Sequence, residues 1–379
     1  MPKNIFEKHL AESGIFKSEE YLYHEFVPER LPHRDSEIDR IAFDLRPLLK
    51  GGKPNNVFAF GSTGTGKTAT VKYVLKALEE FSDRAKSLYL NCFQFNTRHS
   101  ILAELCNFLG NPIPRRGTAT DELYVQLSNA MKNSNFSPII VLDEFDQLMK
   151  DDEASKLLYD LLRVIQSGKM PIGIALISND FSLLSMLDAR VKSSLMIDSI
   201  EFRQYTPMQL KEILRDRANY AFQENSFDPE IINVAAAHAA KNGGDARIAI
   251  ESLLNAGRIA EKSGAKKISL QHLQQAFSSI QSRFIEKSMP AIDDDEKTIL
   301  QILCGEENVS SGELFEKYLK KAENPLSERS FRSKVNRLAS LMLVNAVQKE
   351  GVKGNTRIIG LAQPKEQILR GLNVQKPKQ

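Results

Sequence analysis

The segment Gly61-Ser-Thr-Gly-Thr-Gly66-Lys67-Thr68 constrains this chain more than any other. It fits the pattern GxxxxGK(S/T) and lies between an apolar run, Asn56–Phe60, and a helical stretch, TATVKYVLKAL. Glycines at this spacing let successive backbone amides turn toward one point, and the helix that follows adds the positive end of its dipole. Such a loop has to leave a strand and enter a helix, which predicts an α/β unit with a parallel sheet. Four more short apolar runs supply strands: Ser87–Cys92, Pro138–Leu142, Ile172–Ser178 and Ile197–Phe202. Each is nearly continuous rather than alternating, as strands covered on both faces must be.

The loop residues Thr63, Gly64, Thr65, Gly66, Lys67, Thr68 and Ala69 are expected to cradle the phosphates of ATP or ADP. Lys67 would reach the β and γ phosphates, and the Thr68 hydroxyl would hold Mg2+. Downstream, Pro138-Ile-Ile-Val-Leu-Asp143-Glu144-Phe-Asp146 is an apolar strand ending in acids. Asp143 suits magnesium, and Glu144 suits a general base that polarises the attacking water. Asn179 ends the next apolar run, where its amide would face the γ-phosphate or merely make a turn. Arg190, in LLSMLDARVKSSL, lies where an arginine finger would reach a neighbour's nucleotide, the bland alternative being a surface ion pair. Arg247, in GGDARIAIESLL, opens a helix of the all-helical domain, from which it would reach the phosphates from above. The looser dinucleotide fingerprint Gly64-x-Gly66-x-x-Ala69 also fits, but it explains neither Lys67-Thr68 nor the acids.

A chain of 379 residues is long enough for two or three domains. The first is expected over residues 1–203, and an all-helical domain over 204–288. Thr206-Pro207 with Gln209 makes a capped helix start, Asp228-Pro229 another, Gly243-Gly244 a stop, and Ser269 a further cap. Ser288-Met-Pro then reads as a linker. Residues 292–365 spell three helices (Asp294–Cys304, Ser311–Ala322, Ser327–Leu343) and two strands (Val344–Lys349, Thr356–Leu361), the pattern of a winged helix.

Net charge is only +3, but its distribution is uneven. From Leu326 to Gln379 there are 11 basic and 3 acidic residues, whereas Ala291–Pro325 has 4 and 9. The third helix concentrates the surplus. Phe331, Val335, Leu338 and Met342 form its apolar stripe, leaving Arg329, Arg332, Ser333, Asn336, Arg337 and Ser340 on the other face as donors for double-stranded DNA. The hairpin adds Lys349, Lys353 and Arg357 as a wing. Three scattered cysteines, Cys92, Cys106 and Cys304, fit burial rather than a disulfide or zinc framework. No run approaches the ~20 apolar residues that span a bilayer, and MPKNIFEKHLAESG lacks a signal-peptide core. A soluble, cytoplasmic and nucleoid-associated protein is expected, with no membrane partner.

The order of phosphate loop, acidic strand, sensor asparagine, finger arginine and helical lid resembles an AAA+ ATPase. More narrowly it resembles the archaeal replication initiators, relatives of the largest origin-recognition-complex subunit and of the cell-division-control loader protein. Phe26-Val-Pro-Glu-Arg-Leu-Pro-His33-Arg34 with Glu37-Ile38 looks like the family's N-terminal box along the adenine. Helices within residues 97–132 stand where the family inserts its initiator-specific helices, and the loop Arg115-Arg116-Gly117 between them would then touch DNA. Tyr205 and Arg217 match lid positions that contact nucleotide. The departure is Ala189, where the family usually has proline before the finger. The resemblance implies a slow ATPase switch that binds origin DNA, recruits a helicase of the minichromosome maintenance type, and assembles with further copies or paralogues. The residues alone reach an ATP-switched DNA binder. A motor or clamp loader, and a signalling ATPase whose winged helix reads no DNA, remain open.

Overall fold

The computed structural model describes residues 14–114, 117–167, 171–306, 308–322, 324–341, 343–348 and 357–374. They fall into two compact units that divide between Leu273 and Gln274.

In the first unit α1 (Asp35–Leu45) precedes β1 (Asn56–Phe60) and α2 (Lys67–Phe81). Then come β2 (Ala85–Asn91), α3 (Arg98–Phe108), α4 (Thr120–Asn133), β3 (Ser137–Asp143), α5 (Glu153–Ser167) and β4 (Gly173–Ser178). Two short helices, α6 (Leu183–Met186) and α7 (Ala189–Leu195), lead into β5 (Ile197–Glu201). Among the described residues the strands form a five-stranded parallel sheet in the order β2-β3-β4-β1-β5, each within two residues of its expected run.

Strand parity explains the continuous apolar runs. Phe58, Ile140, Leu142, Ile174 and Leu176 enter one core with α3, α4 and α5, while Val57, Ala59, Ile139, Val141, Ala175 and Ile177 enter the other with α1 and α2. Cys92 and Cys106 lie buried on the first of these cores. Register aligns Asn91 with Asp143, Asp143 with Ile177, and Phe60 with Ser178. All the loops that matter therefore leave one edge of the sheet, the carboxyl edge where open α/β sheets bind ligands.

Four helices follow: α8 (Pro207–Ala221), α9 (Pro229–Lys241), α10 (Ala246–Lys262) and α11 (Leu270–Ser288). Thr206 and Gln209 close the expected capping box, each accepting the other's backbone N–H. Asp228 precedes its helix as expected but makes no side-chain cap, pairing with Lys267 instead. An N-terminal strap packs on α8 and α10, with Ile15 and Leu22 buried and Phe16 5.1 Å from Phe222.

The second unit holds α12 (Asp294–Leu303), β6 (Val309–Ser310), α13 (Ser311–Lys321), α14 (Glu328–Ser340), β7 (Val344–Gln348), β8 (Arg357–Leu361) and α15 (Lys365–Val374). The strands form an antiparallel sheet in the order β6-β8-β7, so three helices and a hairpin make the expected winged helix. Phe331, Val335 and Leu338 are buried as the stripe requires. The expected linker Ser288-Met-Pro is helical instead, running into a 3-10 turn at Met289–Ala291. Ile285, Met289 and Ile292 are buried in the second core, which holds that stretch in place. Among the described residues of this unit, two elements escaped the sequence reading: β6, only two residues long, and α15, which buries Ile368.

Candidate functional site

The phosphate loop is shaped by close packing. Gly66 has φ 88° and caps α2, while Gly64 has φ 69°. A Cβ on Gly64 would lie 1.7 Å from Asp245 Oδ1, and the Gly64 carbonyl accepts a hydrogen bond from the Ala246 N–H at 3.1 Å. Only glycine meets both demands, a left-handed backbone and the approach of another chain segment. The N-terminus of α10 thus sits directly on the loop. Lys67 Nζ donates to the Gly61 and Ser62 carbonyls at 2.9 and 2.8 Å and to Asn179 Oδ1 at 2.9 Å. Burial pushes its ammonium down to about 8, and the Arg247 charge adds to the effect.

The expected acids stand opposite. Thr68 Oγ1 donates to Asp143 Oδ2 at 2.8 Å, and Tyr89 on β2 donates to the same oxygen at 2.5 Å. Asp143 Oδ1 accepts the Glu144 N–H. Glu144 takes φ 57°, a left-handed conformation rare outside glycine, which turns its carboxyl off the strand line. Burial and the neighbouring Asp143 raise its carboxyl above the usual carboxylate range, against a hydrogen bond from Asn91. Asp146 accepts a hydrogen bond from Ser178 and belongs to the support. Tyr89 and Asn91 were missed in the sequence. The signal for Asn91 was a polar residue ending an apolar strand at the register position facing Asp143.

A cavity of about 840 Å³ joins these groups. Thr63 to Ala69, Asp143, Glu144, Asn179, Tyr205, Arg217 and Arg247 all line it, as does the N-terminal box from Phe26 to Pro32. The box end is aromatic: Tyr21 stacks on Tyr220 at 5.2 Å and lies 4.7 Å from Phe26. Arg217 donates to the Tyr21 and Phe26 carbonyls at 2.9 and 3.1 Å, so its guanidinium pins the box; burial lowers it to about 10. Arg247 pairs with Asp245, the cap of its own helix, while its side chain stays 54% exposed at the cavity. Arg190 stands apart, 81% exposed and, among the described residues, ion-paired with Asp188. Chemically, the cavity offers a flat apolar slot at one end and at the other a cation, a hydroxyl and two carboxylates, the complement of a nucleoside polyphosphate with a hard cation.

On the second unit, Arg329, Arg332, Ser333 and Asn336 are exposed along α14 as expected. Arg357 on β8 donates to Asn336 Oδ1 at 2.9 Å, which brings helix and wing together. That face also carries an acid, since Glu328 pairs with Arg332 one turn on. Arg337 also differs from a free donor. It gives hydrogen bonds of 2.9 and 2.8 Å to Glu296, whose side chain is wholly buried, while Lys334 pairs with Asp293. Arg115, Arg116 and Lys353 lie outside the described residues, as do Lys349 and Met342.

Comparison with known proteins gives a consistent result. Residues 52–187 match an AAA domain model, and residues 211–278 match the Cdc6 AAA+ ATPase-type lid domain. An ORC1-type DNA replication protein of Thermococcus kodakarensis is 36% identical over 377 residues, 94% of this chain and 91% of the relative. The structure of Aeropyrum pernix ORC1 in complex with DNA is 31% identical with a TM-score of 0.73, covering 96% of this chain and 98% of that one. The Aeropyrum pernix ORC2 structure with ADPNP and ADP is 25% identical with a TM-score of 0.73, covering 95% and 98%.

Proposed function

This chain belongs to the ORC1-type DNA replication proteins, and from that premise we propose that it is an ATP-regulated replication initiator that binds origin DNA and helps load the replicative helicase. One observation carries the reading: Lys67, Thr68, Asp143, Glu144 and Asn179 converge on one cavity that an aromatic slot extends. In this reading the loop holds the phosphates of ATP or ADP. Thr68 and Asp143 would hold Mg2+, a hard cation that their oxygens suit. The metal would neutralise charge developing on the phosphates, while Glu144 accepts the proton of the attacking water.

Hydrolysis is slow and acts as a switch, with Arg247 and Tyr205 on the lid side of the nucleotide and Arg190 acting across an interface between copies. Base domain, lid and winged helix occupy 1–203, 204–288 and 292–365. Arg329, Arg332, Ser333, Asn336 and Arg357 face double-stranded DNA, and Lys353, Arg115 and Arg116 add phosphate contacts; Arg337 braces the helix that carries the first four. The helicase partner is of the minichromosome maintenance type, further copies or paralogues assemble beside it on DNA, and the setting is the cytoplasm at the nucleoid. Among the described residues no helix is long and apolar enough to cross a membrane.

Footprinting on the host chromosome with ATP, with ADP and without nucleotide tests the reading. Discrete protected repeats whose extent changes with nucleotide are expected. Uniform weak binding with fast ATP turnover would favour the motor class, and no protection at all the signalling class.

A further inference from the structure

Arg34 closes the N-terminal box, all three of its guanidinium nitrogens donate hydrogen bonds, and the roles above give it no task of its own. It sits just before α1 and is 4% exposed. Its Nε and Nη2 donate to the Thr65 carbonyl at 3.0 and 2.7 Å. Nη2 also donates to the Arg203 carbonyl at 2.8 Å, and Nη1 to Glu37 Oε1 at 2.9 Å and the His33 carbonyl at 3.3 Å. Those contacts occupy every donor of the planar fork, which no other side chain reproduces. The guanidinium lies 4.1 Å from the Tyr205 ring and 5.4 Å from that of Phe202. His33, at φ 64°, adopts the left-handed backbone that delivers the next residue into this slot.

We propose that Arg34 is a positioning residue of the nucleotide site, which fixes the Thr65–Gly66 peptide so that its N–H is presented to phosphate. This role rests on the nucleotide site proposed above. A trans peptide holds C=O and N–H on opposite sides of one plane. Two donors drawing the Thr65 oxygen toward Arg34 therefore turn the Gly66 N–H away from Arg34, toward the cavity that Gly66 and Lys67 line. Glycine-rich loops flip readily, and the flipped peptide would aim a carbonyl oxygen at the phosphates. Arg34 removes that alternative. Its bond to Arg203 and its stacking on Tyr205 anchor the clamp to the segment joining β5 to α8, so it is braced from outside the loop.

The test is equilibrium binding of ADP and of AMP, which lacks the β-phosphate, to the full chain and to Arg34→Lys, Arg34→Ala and Lys67→Ala. Lysine keeps the charge but has one compact head instead of a fork. Arg34→Lys is expected to weaken ADP about tenfold or more, the scale of lost charge-assisted hydrogen bonds, and to leave AMP within about twofold. If Arg34→Ala does not fold, Arg34→Lys and the milder Glu37→Gln, expected to give a smaller loss of the same selectivity, carry the measurement. Arg34→Lys binding ADP like the wild type, or losing ADP and AMP equally, overturns the proposal. Should the wild type bind no ADP, or Lys67→Ala bind it undiminished, the nucleotide reading falls and takes the proposal with it.

Discussion

Lys67 Nζ and Asn179 Oδ1 lie 2.9 Å apart, joining the phosphate loop to the end of β4 across the sheet's carboxyl edge. With the Gly61 and Ser62 carbonyls, the asparagine holds the ammonium in the cavity with no anion needed. A phosphate then exchanges with acceptors already in place, instead of recruiting a lysine from solvent. Lys67→Ala is expected to abolish ATP binding in a titration; measurable affinity in that variant would mean the phosphates are held elsewhere.

The same burial sets a pH dependence. In the nucleotide-free protein Lys67 loses its proton as pH rises through about 8. Affinity for ADP should accordingly fall above that point, by up to about tenfold per pH unit, while AMP is less affected. The unfolded chain keeps this proton up to about 10.5, so between the two values the unfolded state binds more protons and the group makes stability rise with pH. Calorimetric titrations at pH 7, 8 and 9 check the first effect. A flat profile for ADP would show that the lysine stays charged throughout.

For Glu144, a carboxyl raised by burial and by the neighbouring Asp143 suits the proposed role of general base. Glu144→Gln keeps shape and hydrogen bonding but accepts no proton. ATP affinity should stay within about threefold while turnover falls about 100-fold or more. Equal rates in single-turnover assays of variant and wild type would remove Glu144 from the chemistry.

Arg190 gives an independent test of assembly, since its side chain is 81% exposed and its pairing with Asp188 is local to the start of α7. In dilute protein Arg190→Ala should leave melting temperature and ATPase rate unchanged. On DNA with several binding sites it should lower the rate at least about tenfold, if the arginine enters a neighbour's site. A loss of the same size in the monomer would place its action within one chain.

The parts legible in the sequence were those where one local rule decides the outcome. Val57 and Phe58 alternate between two cores, so their run had to be apolar throughout, and Thr206 and Gln209 make a cap that depends only on spacing. What stayed hidden depends on partners far along the chain. Arg34 meets Thr65 31 positions away and Tyr89 meets Asp143 54 positions away, contacts that a single sequence does not announce. Ser288-Met-Pro misled because proline marks linkers and helix ends alike, and only the burial of Ile285 and Ile292 decides between them.

Helix α14 shows how two arginines on one basic face acquire different tasks. Glu296 is wholly buried, completes the capping box of α12 with Asp293, and receives both of its charged hydrogen bonds from Arg337. Losing that guanidinium strands a carboxylate in the core, although the half-exposed position of Arg337 lets water repair part of the loss. Arg337→Ala should therefore cost about 1–3 kcal/mol of stability, below the range for a fully buried pair. Adding Glu296→Gln should restore part of that, because a neutral amide needs no counter-charge. Arg332 is 63% exposed and, among the described residues, ion-paired within its own helix to Glu328. Removing it should change the melting temperature little and weaken specific DNA binding by about 1–3 kcal/mol more than non-specific binding. Chemical denaturation and titration with specific and scrambled duplexes separate the two effects. If Arg332→Ala weakens both duplexes equally, it contacts phosphate, and base reading passes to Asn336 and Ser333. If Arg337→Ala is as stable as the wild type, the buried carboxylate finds its compensation from the capping box alone.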